Sequence, residues 1–266
     1  MIQLPHRFDH TPDKADKRDL SFDTIKSMLQ KKTPPASMDL REPDDTFPPI
    51  YNQGSLNSCS ANALAAVLYY DEVKQNLPNV SPSRLFVYYN TRKAEDVLND
   101  PSYGSAGAPV SMRDAIKSTK QQGYCDEQLW PYDEANVDVP PSAEAYEGAI
   151  HHHSYRYHRI AQHLNNMKLC LCNGHPFVFG FLVYQGFLAP STWETGIIPI
   201  PKEGQPQIGG HAMVAVGYDD GEQWFIVRNS LGENFGDKGY GYFPYEYALS
   251  SKNAFDFWVI NRVQDN

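Results

Sequence analysis

Apolar positions recur along this chain with two different periods, and the change falls near its middle. In the first half, Ala61, Leu64, Ala65, Leu68 and Val73 fall near helical spacing and predict a helix from Ser58 to about Gln75. A second helical piece is expected from Ser83 to Leu98, with Leu85, Val87, Tyr88, Ala94 and Val97 available for packing. A third runs from Ser111 to Gln122 and is stopped by Gly123. Ahead of these, Phe22, Ile25, Met28 and Leu29 share one helical face between Ser21 and Lys32, and Pro34-Pro35 ends that piece. Residues 133–148 are acidic, broken by proline, and read as surface loop. The second half reads as strands: Pro176 to Val183, His211 to Tyr218, Trp224 to Arg228, Gly239 to Phe243 and Phe255 to Ile260. Asp219-Asp220-Gly221 supplies a hairpin turn between the second and third of these. Helices first and antiparallel strands later predict an α+β fold, a helical lobe against a sheet lobe.

Composition narrows the partners. The 266 residues carry a formal net charge of −9 with no long basic run, which argues against nucleic acid or an anionic membrane as partner. No window is apolar enough to span a bilayer, and the first residues lack the pattern of a secretory signal. The four cysteines, Cys59, Cys125, Cys170 and Cys172, do not form a disulfide framework for a chain of this size. Reduced thiols in a cytosol-like compartment are expected, or delivery by a route that leaves no recognisable signal peptide. Residues 1–35 are too short for a domain and are expected to pack on the main body as an extension.

The chemistry gathers at three places. Gln53-Gly54-Ser55-Leu56-Asn57-Ser58-Cys59 is a glycine-containing turn leading to a cysteine at the start of the central helix, with Ser58 as the expected N-cap. Unsatisfied N–H groups at a helix start favour thiolate, although a lone Cys59 fits a small buried residue equally well. His211 follows Gly209-Gly210 at the start of one strand, and Asn229 closes its hairpin partner. The tight turn brings these two side by side, so Asn229 can fix the imidazole by a side-chain hydrogen bond. A thiolate, an oriented imidazole and an amide that orients it make a complete nucleophile system.

From about Pro35 to Val263 these segments resemble the papain family of cysteine proteases. The resemblance rests on residues 53–59, on Gly123…Glu127…Trp130-Pro131-Tyr132, on Gly210-His211-Ala212 and on Trp224 to Ser230 with Gly232 and Gly239-Tyr240-Gly241. Cys59 and His211 stand 152 residues apart, close to the family's spacing. The resemblance implies a two-lobe fold over residues 36–266, helical at about 55–135 and a sheet or barrel at about 150–263, with the active-site cleft between. It also implies a cysteine endopeptidase acting through a thioester, with Cys59 as nucleophile and His211 as base and then acid. Asn229 would orient His211, and Gln53 with the Cys59 backbone N–H would receive the oxyanion. Gly107 and Ala108 would bind a peptide substrate as an added strand, with Pro109, Gly210, Ala212 and Trp258 completing an apolar substrate site. A monomer needing no cofactor or metal is expected. The same site could instead deamidate or transamidate a protein partner, and a catalytically weak peptide-binding module is the reading from another class.

Three positions depart from the family pattern. Leu56 stands where a disulfide cysteine is usual, Ser60 where a tryptophan follows the nucleophile, and Leu231 where a tryptophan shields the asparagine–histidine bond. The leader is shorter than the family's propeptides and lacks their helical signature, which leaves open whether it blocks the cleft as in a zymogen. His151, His152 and His153 with His158 and His163 are expected on a surface strand rather than around a metal, because adjacent strand residues face opposite ways. Cys170 and Cys172, one residue apart on an expected helix, face away from each other and make no redox pair.

Overall fold

The computed structural model describes residues 8–41, 46–78 and 80–265. Its axis is α1 (Cys59–Lys74), in which all but three of sixteen residues are buried. The expected single apolar stripe is therefore too narrow. α1 is enclosed by α2 (Arg84–Ala94) and α3 (Met112–Gln121) on one side and by the sheet on the other. Ala61, Ala63, Ala65 and Ala66 have side chains small enough for that close approach from both directions. Ser83 and Ser111 cap α2 and α3 by accepting from Phe86 N and Asp114 N, and Gly123 leaves α3 with φ +78°.

Two expectations are corrected here. The piece between Ser21 and Lys32 is not an α-helix but two short 3₁₀ turns, Phe22–Thr24 and Lys26–Met28. Phe22 is buried there, whereas Met28 is 76% exposed, so the four apolar residues do not share one covered face. The segment read as loop contains α4 (Ala143–Ala149), capped by Ser142, which accepts from Ala145 N.

The sheet is built from β1 (Ser37–Asp39), β2 (His152–Arg159), β3 (Phe177–Tyr184), β4 (Gln207–Asp219), β5 (Trp224–Arg228), β6 (Tyr240–Pro244) and β7 (Ala254–Asp265). Its order is β2-β7-β3-β4-β5-β6, β1 pairs with the end of β4, and the ladders are antiparallel. α5 (Leu164–Cys172) links β2 to β3, and the short α6 (Pro190–Thr195) and α7 (Tyr245–Leu249) complete the lobe.

The two faces of β3 differ by the alternation of a strand. Phe177, Phe179 and Phe181 enter an aromatic layer in which Phe179 stacks on Phe257 at 5.5 Å and Phe181 meets Phe243 edge-on at 5.0 Å. Gly180 faces the other way, beside Ala212 across the ladder.

The leader threads between the lobes rather than lying on the outside. His10 N donates to Gly210 O (3.1 Å) and Gly210 N donates to Phe8 O (2.7 Å), so Asp9 pairs in parallel with β4 at Gly210. A Cβ at Gly209 or Gly210 would collide with the leader backbone, which fixes glycine at both positions while the leader is seated. Beyond this contact, Asp13 and Asp19 bind two arginines of the body. Arg159 meets Asp13 at 3.1 Å, Asp19 at 3.1 Å and Asp256 at 2.8 Å, and Arg113 meets Asp19 at 2.7 Å. Among the described residues, no helix is long and apolar enough to cross a membrane.

Candidate active site

Cys59 opens α1, but Ser58 does not cap it with its side chain. The Ser58 hydroxyl instead donates to Tyr132 Oη (2.6 Å) and accepts from Asn62 Nδ2 (3.0 Å). Tyr132 in turn donates to the Gln53 carbonyl at 2.9 Å. The turn before the cysteine is thus held by a phenol from a distant segment. Arg84 lies over the Tyr132 ring at 4.1 Å and pairs with Glu127, which explains why the Glu127–Tyr132 stretch accompanies the cysteine turn in the sequence. Tyr132 belongs to a motif legible in the sequence, but its positioning role appears only in three dimensions.

The Gln53 side chain is fully buried. Its Nε2 donates to Leu56 O (3.0 Å), and its Oε1 accepts from Ser230 Oγ (2.7 Å). Gln53 N also donates to Ser230 O (2.8 Å), so the residue after Asn229 is tied to the turn before Cys59.

His211 lies within β4 rather than at its start, because the strand extends back to Gln207. β4 and β5 pair with Val214 opposite Arg228, which carries Asn229 back toward His211. His211 Nε2–H donates to Asn229 Oδ1 at 2.9 Å, the reverse of the expected donor and acceptor. The same oxygen accepts from Ser230 N (2.8 Å), which holds the amide with its oxygen toward the ring. This tautomer keeps the proton on Nε2 and leaves Nδ1 as the basic nitrogen.

The imidazole is walled by Phe8, Phe181 and Phe187, with centroids at 5.2, 5.8 and 6.1 Å. Phe187 stacks on Phe235 at 5.8 Å. Leu231 is buried, and this aromatic wall surrounds His211 without a tryptophan at that position.

Cys59 is 2% exposed. Burial pushes its thiol up to about 11, against the backbone N–H groups of Ala212 and Ser60 that pull it down. The expected lowering by the helix start is overridden by burial. Desolvation of the anion there exceeds the attraction of the helix-end amides.

The remaining expected residues divide. Gly107 takes φ +67°, and its carbonyl accepts from Asn57 Nδ2 (2.8 Å), while Ala108 is buried with its carbonyl accepting from Tyr88 Oη (2.7 Å). Pro109 is half-buried and Ala212 is buried against α1. Gly210 binds the leader backbone. Trp258, the last of the expected substrate-site residues, lies in the core. It is fully buried, its Nε1–H donates to Asp13 Oδ2 (3.0 Å), and Arg159 lies over its ring at 4.4 Å.

The leader residues Phe8, His10 and Asp13 were not singled out in the sequence, which gives no periodic or motif signal there. His152 Nδ1 meets Glu72 Oε1 at 3.0 Å and His153 bonds to backbone carbonyls. Among the described residues no group of three or more His, Cys, Asp or Glu is placed to hold a metal. Cys170 and Cys172 are buried free thiols donating to the carbonyls of His175 and Leu169.

The cysteine opens α1, and β4, which packs against that helix, carries an imidazole bonded to an amide. Residues 34–252 match the family model described as papain family cysteine protease, and the chain belongs to that family. It is 38% identical, over 98% of its length and 89% of the relative's, to an uncharacterized peptidase C1-like protein of Acanthamoeba polyphaga mimivirus. The fold is similar to that of xylellain, a cysteine protease from Xylella fastidiosa. There the TM-score is 0.84 and identity 36%, over 97% of this chain and 96% of the other. It also resembles procathepsin B S9 from Trypanosoma congolense in fold, at a TM-score of 0.66 and 15% identity over 90% and 81% of the two chains.

Proposed function

We propose that this papain-family peptidase is an endopeptidase that cleaves peptide bonds through a thioester on Cys59. His211 takes the thiol proton and delivers it to the leaving amine, Asn229 orients the imidazole, and Gln53 with the Cys59 backbone N–H receives the oxyanion. The observation that carries this reading is the 2.9 Å bond from His211 Nε2–H to Asn229 Oδ1, which directs the basic nitrogen of His211 away from Asn229. In the same reading residues 1–35 are a pro-segment, since Phe8 covers His211 and the leader backbone occupies Gly210.

That seated leader equally favours a second reading, a weak catalyst that holds a peptide in its groove. An epoxide-type cysteine-protease inhibitor separates the two when the full chain and Cys59→Ala are weighed after exposure. The first reading expects one adduct, on Cys59, in the full chain or after the chain is cut near Thr33. No adduct in either form rejects the peptidase mechanism and leaves the binding module.

A further inference from the structure

The side chain of His10 enters a slot formed by residues adjacent in sequence or register to both members of the reacting pair. Ser60 follows Cys59, and Gly180 lies opposite Ala212, which follows His211. The His10 ring is 2% exposed and stacks on Phe255 with centroids 5.7 Å apart and planes at 23°. Its Nδ1–H donates toward Val110 O (3.3 Å) and Ser60 Oγ (3.2 Å), and Ser60 Oγ–H donates to Val110 O (3.0 Å). On the opposite edge, His10 Nε2 has no hydrogen-bond partner among the described residues and lies over Gly180. A Cβ at Gly180 would stand 2.8 Å from that nitrogen and collide with the Phe255 ring, so the missing side chain gives the slot its width.

We propose that this slot, walled by Ser60, Val110, Gly180 and Phe255, is the specificity site of the enzyme and selects a peptide residue with a flat, hydrogen-bonding ring, histidine foremost, over a branched aliphatic one. The proposal deepens the peptidase reading and rests on it for the identity of the ligand as substrate. Three features favour a ring: the parallel face of Phe255, the thickness left by Gly180, and the polar edge presented by Ser60 and the Val110 carbonyl. A leucine or valine would cover that edge and leave the carbonyl and hydroxyl with only each other. Histidine in its neutral form satisfies the polar edge with one N–H and keeps the rest of the ring against Phe255. The slot so proposed has an apolar face and a polar edge, where the sequence led to the expectation of an apolar pocket lined by Ala108, Pro109, Ala212 and Trp258.

The test uses the full chain with a cleavage site inserted between Thr33 and Pro34, folded intact and cut afterwards. Synthetic leader peptides spanning residues 8–33, with His10 or with leucine or phenylalanine in its place, compete against a fluorescent copy for the Cys59→Ala form. The leucine peptide is expected to bind about tenfold more weakly than the histidine peptide, with phenylalanine between them. Ser60→Ala should narrow the gap between histidine and phenylalanine without changing the leucine affinity. In parallel, the cut protein with Cys59 intact is given peptide substrates that vary this residue, and histidine is expected to lead in kcat/KM. Leucine binding as tightly as histidine, or valine and leucine leading among substrates, overturns the proposal. Ring-selective binding without any cleavage or labelling of Cys59 would instead reject the peptidase reading and leave the slot as a ligand site.

Discussion

The ring of Phe8 stands edge-on to the imidazole of His211, with centroids 5.2 Å apart and planes at 88°. A leader side chain therefore rests on the group proposed to activate Cys59, and Cys59 itself is 2% exposed. Phe8→Ala removes that cover without touching the body of the protein. It should raise the rate of Cys59 alkylation at pH 8 by about tenfold or more, as rehydration brings the thiol down from about 11. Mass spectrometry of timed iodoacetamide reactions reads this directly, and an unchanged rate would mean that Phe8 does not gate the thiol.

Asn229 holds His211 through a single oxygen that also accepts from Ser230 N. Asn229→Ala should leave substrate binding in place and lower kcat by about 100-fold, because the imidazole then loses its fixed tautomer and orientation. The measurement is steady-state kinetics over pH on protein cut after Thr33. A fall in KM-linked terms alone, with kcat intact, would assign Asn229 to substrate binding instead.

His10 couples leader docking to pH. Burial lowers its pKa from 6.5 to about 4, so the docked leader holds this proton less tightly than the free one. Docking through His10 is then fully present above pH 6.5 and weakens as pH falls toward 4, by about 3 kcal/mol when complete. Asp13 acts in the other direction. Burial and the nearby Asp256 raise its pKa, so its protonation on acidification favours the docked state. The Kd of the cut leader should rise by about 100-fold between pH 7 and pH 4, and His10→Phe should abolish most of that rise. A pH dependence that survives in His10→Phe would place the sensor elsewhere.

Arg159 joins the leader to the body by ion pairs to Asp13 and Asp19 and a third to Asp256. Asp13 and Asp256 have almost no side-chain exposure, so removing the cation strands two buried carboxylates. Arg159→Gln should cost about 3 kcal/mol, seen as a lower urea midpoint, whereas Asp19→Asn should cost about 1 kcal/mol. Equal effects for the two variants would show that Arg159 carries no more than an ordinary surface pair.

Much of the fold was legible because it rests on short-range patterns. Near-helical apolar spacing marked α1, Gly123 marked the end of α3, and the run from Trp224 to Arg228 matches β5 residue for residue. The approach of Asn229 to His211 followed from one tight turn, since a hairpin fixes which strand ends meet. The sequence by itself thus determined the α+β plan, the helix-start cysteine and the pairing of imidazole and amide. Tertiary structure decided what local pattern cannot encode. The leader carries little periodicity, and its course was set by the groove beside Gly210 and by arginines from α3 and β2, around 100 to 150 residues away in the chain. The donor in the His211–Asn229 bond and the protonation of Cys59 depend on neighbours and on burial, which exist only once the lobes and the leader have closed around them.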